Sequence, residues 1–190
     1  MSATSAPFGL RPAFHPSGLD RAVALADGIA SAYNTDILKG QPVRLNTSGN
    51  LIVAGASDAF QGAFAGVEWT DTTGRRRVSN YWPANTAYQT GSCVAYYYSD
   101  PNIVYEIQAA GTLSQASIGE EFDLSNTTAG STTTGLSQAT LSITPAGSGN
   151  NAQMRVINLA PYADNAWGDN FVIVQAQITK HQYVAVSNAI

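Results

Sequence analysis

The stretch Asp100-Pro101-Asn102-Ile103-Val104-Tyr105-Glu106-Ile107-Gln108 decides how this chain is read. Pro101 fixes φ and has no N–H to give to a ladder, so Asp100-Pro101 is a turn that launches a strand. Beyond it Ile103, Tyr105 and Ile107 share one face and Asn102, Glu106 and Gln108 the other, with Val104 the one apolar exception. The expectation is a half-buried strand near the middle of the chain. Just upstream, Val94, Tyr96 and Tyr98 alternate with Ala95 and Tyr97, an aromatic strand of the kind that fills a core or an interface.

The same grammar of alternation and turn residues extends outward. Asp36 to Leu45 reads as a turn and a strand, Asn46 to Asn50 as the next turn, and Leu51 to Ala54 as the returning strand of a hairpin. Phe60 to Thr70 is a further strand whose glycines point to a bend or a close backbone approach. Asp71-Thr72-Thr73-Gly74 is a hairpin turn, and Arg75-Arg76-Arg77 leads into a strand running through Val78, Tyr81 and Trp82. Downstream, Ala139, Leu141 and Ile143 alternate, Met154 to Leu159 returns, and Phe171 to Ile178 is the longest apolar strand. Ser125 to Gly135 is polar and low in complexity, which predicts an exposed loop. Closely spaced turn signals and few helical windows predict an all-β fold, a β-sandwich or barrel-like domain, over residues 36–190.

Residues 1–35 read differently. Pro7, Pro12 and Pro16 alternate with Phe8, Leu10 and Phe14 and show neither strand nor helical period. Proline at that density favours extended backbone, and an arm of this length reaches ~100 Å. Such an arm either folds back on its own domain or docks on a neighbour. Asp20 to Ala32 is Ala-rich and interrupted by Gly28, and is read as loop or one loose turn.

Charged residues make up 12% of the 190, about half the usual ~25%, so the surface is built largely of Ser, Thr, Asn, Gln, Gly and Ala. That suits a protein partly covered by neighbours. A net charge of −4 argues against nucleic acid as a partner, because phosphate binding needs clustered Lys and Arg. The one basic run, Arg75 to Arg77, is a charged strand edge that blocks stray pairing, with an acidic patch on a partner subunit as the other reading. No apolar run approaches the ~18 residues of a membrane span, and no secretory h-region is visible. The single cysteine, Cys93, reads as a small buried hydrophobe, and with two histidines, His15 and His181, no metal or cofactor set is expected. Glu120 and Glu121, adjacent on an extended backbone, point to opposite faces and cannot act as an acid/base pair. No nucleotide-binding or hydrolase motif sits in a strand-to-helix context. No catalytic activity is expected.

The order of several motifs resembles the small virion structural proteins of tailed bacteriophages. They are Pro7-Phe8-Gly9-Leu10-Arg11-Pro12 with His15-Pro16-Ser17-Gly18, Gly66 to Arg76 running on to Tyr81-Trp82-Pro83-Ala84, the central Asp100 to Gln108, and Asp164 to Gly168 with His181-Gln182. The resemblance implies a capsid decoration, or cement, protein, bound on the outer surface of the head as a trimer and bracing neighbouring major capsid subunits. It is then made in the host cytoplasm and located on the virion. On that reading Phe8, Leu10, Arg11 and Phe14 of the arm make capsid or intersubunit contacts, and Trp82, Tyr96 and Tyr98 supply the trimer interface. Deleting residues 1–18 is then expected to leave a folded domain that binds shells poorly. A second reading is a carbohydrate- or receptor-binding β-module on the virion surface, with Trp69, Trp82, Trp167 and the tyrosines stacking on sugars.

Overall fold

Turn chemistry closes the two hairpins that alternation predicts. In the computed structural model, which describes residues 4–18 and 21–184, strands β3 (Pro42–Leu45) and β4 (Leu51–Val53) pair with Val43 opposite Val53 and Leu45 opposite Leu51. Asn46 holds the turn: its side-chain oxygen accepts from the N–H groups of Ser48 and Asn50. The second hairpin joins β5 (Gly62–Thr70) to β6 (Arg76–Ser79). Asp71 organises its turn by accepting from the Thr73 hydroxyl and from the Thr73 and Arg75 N–H groups. These bonds, the Thr73 hydroxyl first, hold the Asp71 carboxyl well below the ordinary range, because they favour the charged form. The strand stops at Ser79, short of Tyr81 and Trp82.

The remaining strands are β1 (Arg11–Phe14), β2 (Val23–Ala26), β7 (Val94–Tyr97), β8 (Val104–Gln108), β9 (Glu121–Ser125), β10 (Gly130–Ser131), β11 (Leu136–Ser137), β12 (Thr140–Pro145), β13 (Met154–Leu159) and β14 (Ile173–Ile178). The only helical element among the described residues is one 3-10 turn, Gln115–Ser117. The fold is all-β and antiparallel, consistent with a β-sandwich. One sheet runs β1-β8-β14-β13-β9-β12, the other β2-β7-β5-β3-β4 with β6 also on β5, and β10-β11 form a two-stranded ribbon in the stretch expected to be loop.

Two cores result, and β5 serves both. The first packs Ile103, Tyr105, Ile107, Phe122, Met154, Val174 and their neighbours against Leu10, Phe60 and Ala63. The second gathers Ile37, Val43, Phe64, Val67, Trp69, Trp82, Ala95 and Tyr97. Consecutive residues Ala63 and Phe64 thus point into opposite cores, as alternation along a strand requires. Gly62 is where β5 passes the backbone of Tyr98: at φ +150° a Cβ there would lie 1.9 Å from the Tyr98 carbonyl oxygen. Cys93 lies inside the second core, and burial pushes its thiol up to about 11. It is a small buried hydrophobe.

Three expectations need correcting. Val23–Ala26 is a strand, paired in register with β7; no local period marks it, and the free edge of β7 supplies the hydrogen bonds that make it one. The central strand β8 is buried on both faces, because Arg11, Tyr162, Thr4 and Ala6 cover its polar side. The division at residue 35 also gives way. Leu10 is 1% exposed in the first core, β1 is the edge strand of the first sheet, and β2 is the edge of the second. The described part of residues 1–35 is extended, yet it is built into the domain; residues 1–3, 19–20 and 185–190 lie outside the described residues.

Candidate interaction surface

The N-terminal segment is fixed to β8 by side chains that imitate a ladder. Gln108 accepts from the Ala6 N–H at 2.9 Å and donates to the Thr4 carbonyl at 3.1 Å, continuing the pairing beyond β1. Arg11 lies opposite Glu106 in the β1–β8 register, and its guanidinium donates to one carboxylate oxygen through Nε at 3.1 Å and Nη2 at 2.6 Å. Tyr162 closes this cluster, its hydroxyl donating to the same oxygen and accepting from Arg11. Burial, then the bond to Glu106, raises the Tyr162 phenol pKa. The guanidinium also stacks over the Phe8 ring, 4.5 Å from its centroid, a cation–π contact.

At the far end of β1, His15 Nδ1 accepts from the Ser17 N–H, which leaves Nε2 facing Asp100 at 3.2 Å. The Asn102 N–H donates to the Asp100 carboxylate at 2.8 Å and, with His15 adding its field, holds that carboxyl below its ordinary range. The turn that begins the central strand therefore also anchors the end of the first one. His181 plays a comparable internal part: it is buried, with Nε2 3.0 Å from the carbonyls of Gln61 and Ser99 and Nδ1 accepting from the Tyr183 N–H. Burial lowers its pKa.

Between Phe8 and Arg11 the chain makes a close crossing. Gly9 has φ +73°, and a Cβ there would meet the Gly40 carbonyl oxygen at 2.5 Å and the Ser137 Cβ at 2.7 Å. Gly9→Ala combines a left-handed backbone with a clash against main chain, and should lower the thermal midpoint by roughly 5 to 10 °C. Thermal unfolding beside the exposed-site control Phe14→Ala, expected within about 2 °C of wild type, checks this. An unshifted Gly9→Ala would mean that the crossing is not tight.

Of the residues expected at partner surfaces, Phe8, Leu10, Arg11 and Tyr98 line one cleft of about 390 Å³, completed by Pro12, Lys39, Gly40, Phe64 and Leu136. Phe14 is 46% exposed at the end of β1. Leu10 is withdrawn into the core, and its role is to anchor β1. Trp82, 0% exposed, packs edge-on against Trp69 and Tyr88 in the second core and has no surface to give a trimer interface. Tyr96 is half-buried, its hydroxyl donating to Glu68 at 3.0 Å beside the Glu68–Arg76 pair. Tyr98 and Trp82 belong to different cores: Tyr98 leans on the first while Trp82 is part of the second. Deleting residues 1–18 would remove Leu10 and the partner of Glu106 together, so it would damage the fold and is a poor test of contact. Sequence reasoning missed Lys39 and Leu136, which a parallel bridge sets side by side.

Three carboxylates withdrawn from the surface are committed to structure. Glu106 is held by Arg11 and Tyr162, Glu121 by Arg155 and the Ala152 N–H, and Glu68 by Arg76 and Tyr96. Among the described residues no group of three His, Cys, Asp or Glu side chains is placed to hold a metal ion. Searches against protein-family models, curated proteins and solved structures found no match to this chain.

Proposed function

We propose that the chain is a non-enzymatic decoration, or cement, protein of a tailed-bacteriophage head, bound as a trimer to the outer surface and bracing neighbouring major capsid subunits. The observation that carries this reading is the way Phe14 is presented. A large apolar side chain, 46% exposed, stands at the end of an edge strand that Arg11–Glu106 and His15–Asp100 hold from both sides. A rigidly held apolar contact loses little entropy on docking. Repetition over many equivalent sites lets modest contacts sum to firm retention. The sparse charge of the surface suits a protein covered by neighbours, and the motif order of the sequence supports the same reading.

Co-sedimentation with shells that lack the protein tests it. Bound copies should saturate at the number of local threefold sites, and Phe14→Asp, a surface change that leaves the core intact, should weaken binding by at least about tenfold. A well-folded chain that does not bind shells would overturn the reading. The carbohydrate- or receptor-binding alternative loses two of its tryptophans, since Trp69 and Trp82 are buried and Trp167 packs half-buried against the first core, and keeps exposed tyrosines such as Tyr162 and Tyr183. Glycan-array binding by the isolated chain would restore it.

A further inference from the structure

We propose that the cleft beside β1 receives an extended, apolar segment of the shell protein that carries a carboxylate, with Lys39 as the residue that selects the charge. This deepens the decoration reading and rests on it. The cleft, about 390 Å³, falls within the ~300–1,000 Å³ typical of pockets that take ligands. Its walls are apolar, from Phe8, Pro12, Tyr98 and Leu136, the last 43% exposed. No carboxylate lines it, although the chain as a whole carries a net charge of −4; its charged residues are Arg11 and Lys39.

The two cations are not equivalent. Arg11 is committed to Glu106 and Tyr162. Lys39 is exposed and has no ion-pair partner among the described residues, where Arg11, Arg44, Arg76, Arg77 and Arg155 each have one. Its backbone is nevertheless fixed: the Lys39 N–H donates to the Gly135 carbonyl and the Lys39 carbonyl accepts from the Ser137 N–H, both at 2.9 Å. An ammonium without an ion-pair partner among the described residues, on a backbone held by two hydrogen bonds beside an apolar trench, is complementary to an acidic residue next to large apolar ones. An extended peptide offers both by placing alternate side chains in the trench and at its rim.

The experiment uses the full chain and a fluorescein-labelled octapeptide of alternating leucine and glutamate, with the leucine–lysine octapeptide as its counterpart, read by fluorescence anisotropy. The glutamate peptide should bind and the lysine peptide should not. Lys39→Glu should weaken the glutamate peptide by at least tenfold and admit the lysine one, and Leu136→Ser should weaken the glutamate peptide without reversing the charge preference. Equal binding of both peptides, or an affinity unchanged in Lys39→Glu with its thermal midpoint intact, would overturn the proposal. Self-association in sedimentation velocity that Lys39→Glu abolishes would overturn it in favour of a second copy as occupant. The two readings fail separately. Shell binding untouched by Lys39→Glu removes the cleft proposal and leaves decoration standing, whereas glutamate-peptide binding without shell binding removes the shell protein as the occupant and the decoration reading with it.

Discussion

Trp82→Ala should lower the stability of the isolated chain by about 3–5 kcal/mol, enough to move its thermal midpoint by roughly 10 °C or more. The indole is fully buried, with the Trp69 ring 5.6 Å and the Tyr88 ring 6.0 Å from its own, both edge-on. Its backbone bridges Ile37 through two hydrogen bonds, N–H to carbonyl in each direction. Tyr88 is tied to the same cluster by a 2.7 Å bond from its hydroxyl to the Ile29 carbonyl, and burial pushes its phenol up to about 12. Truncating Trp82 removes the face shared by two aromatic contacts and leaves a cavity that β-sheet walls cannot collapse to fill. Equilibrium denaturation followed by the fluorescence of Trp69 and Trp167 measures it. Tyr96→Phe, which deletes a single exposed-side hydrogen bond to Glu68, should cost less than about 1 kcal/mol. If Trp82→Ala instead left unfolding unchanged and altered only self-association, the residue would belong to an interface after all.

Arg155→Met should cost about 3–5 kcal/mol, through a different mechanism. Glu121 on β9 is 0% exposed and faces Arg155 on β13 in register; its two oxygens accept from Arg155 Nη2 at 2.6 Å and from the Ala152 N–H at 2.9 Å. Removing the guanidinium strands a carboxylate in the sheet interior. The reverse change is milder, because the Arg155 side chain is one-third exposed and can turn to water; Glu121→Gln, which keeps an acceptor, should cost only about 1–3 kcal/mol. The double variant Glu121→Leu with Arg155→Met should recover most of the loss, since no charge is left buried. Urea unfolding of the three variants decides it, and an Arg155→Met chain no less stable than Glu121→Gln would show that the carboxylate reaches solvent.

Half of the interaction surface was legible in the residues. Phe8, Arg11 and Tyr98 stand out as aromatic or cationic side chains in extended stretches, and they do meet at one cleft. Lys39 and Leu136 carry no local signal: they become neighbours because a bridge joins segments 97 positions apart in the chain. Leu10 and Trp82 show the opposite failure. An apolar residue in a proline-rich arm or after a charged hairpin looks available to a partner, and only the packing around it reveals that its own domain has already covered it.

What the chain determined by itself is its all-β character and its two short hairpins, because period-two alternation, Asn46 and Asp71 act within a few residues of where they stand. What only the tertiary structure decided is which distant strands become neighbours. Met154–Leu159 reads as a return against the strand before it, yet β9 lies between β12 and β13; Val23–Ala26 is a strand because it completes the edge of β7; and Glu106 and Gln108, polar residues that alternation places on the face away from the core, are buried because Arg11, Thr4 and Ala6 come to them. The reason is that alternation sets which side of a strand a residue faces, while backbone hydrogen bonding and burial over the whole sheet set what lies on that side.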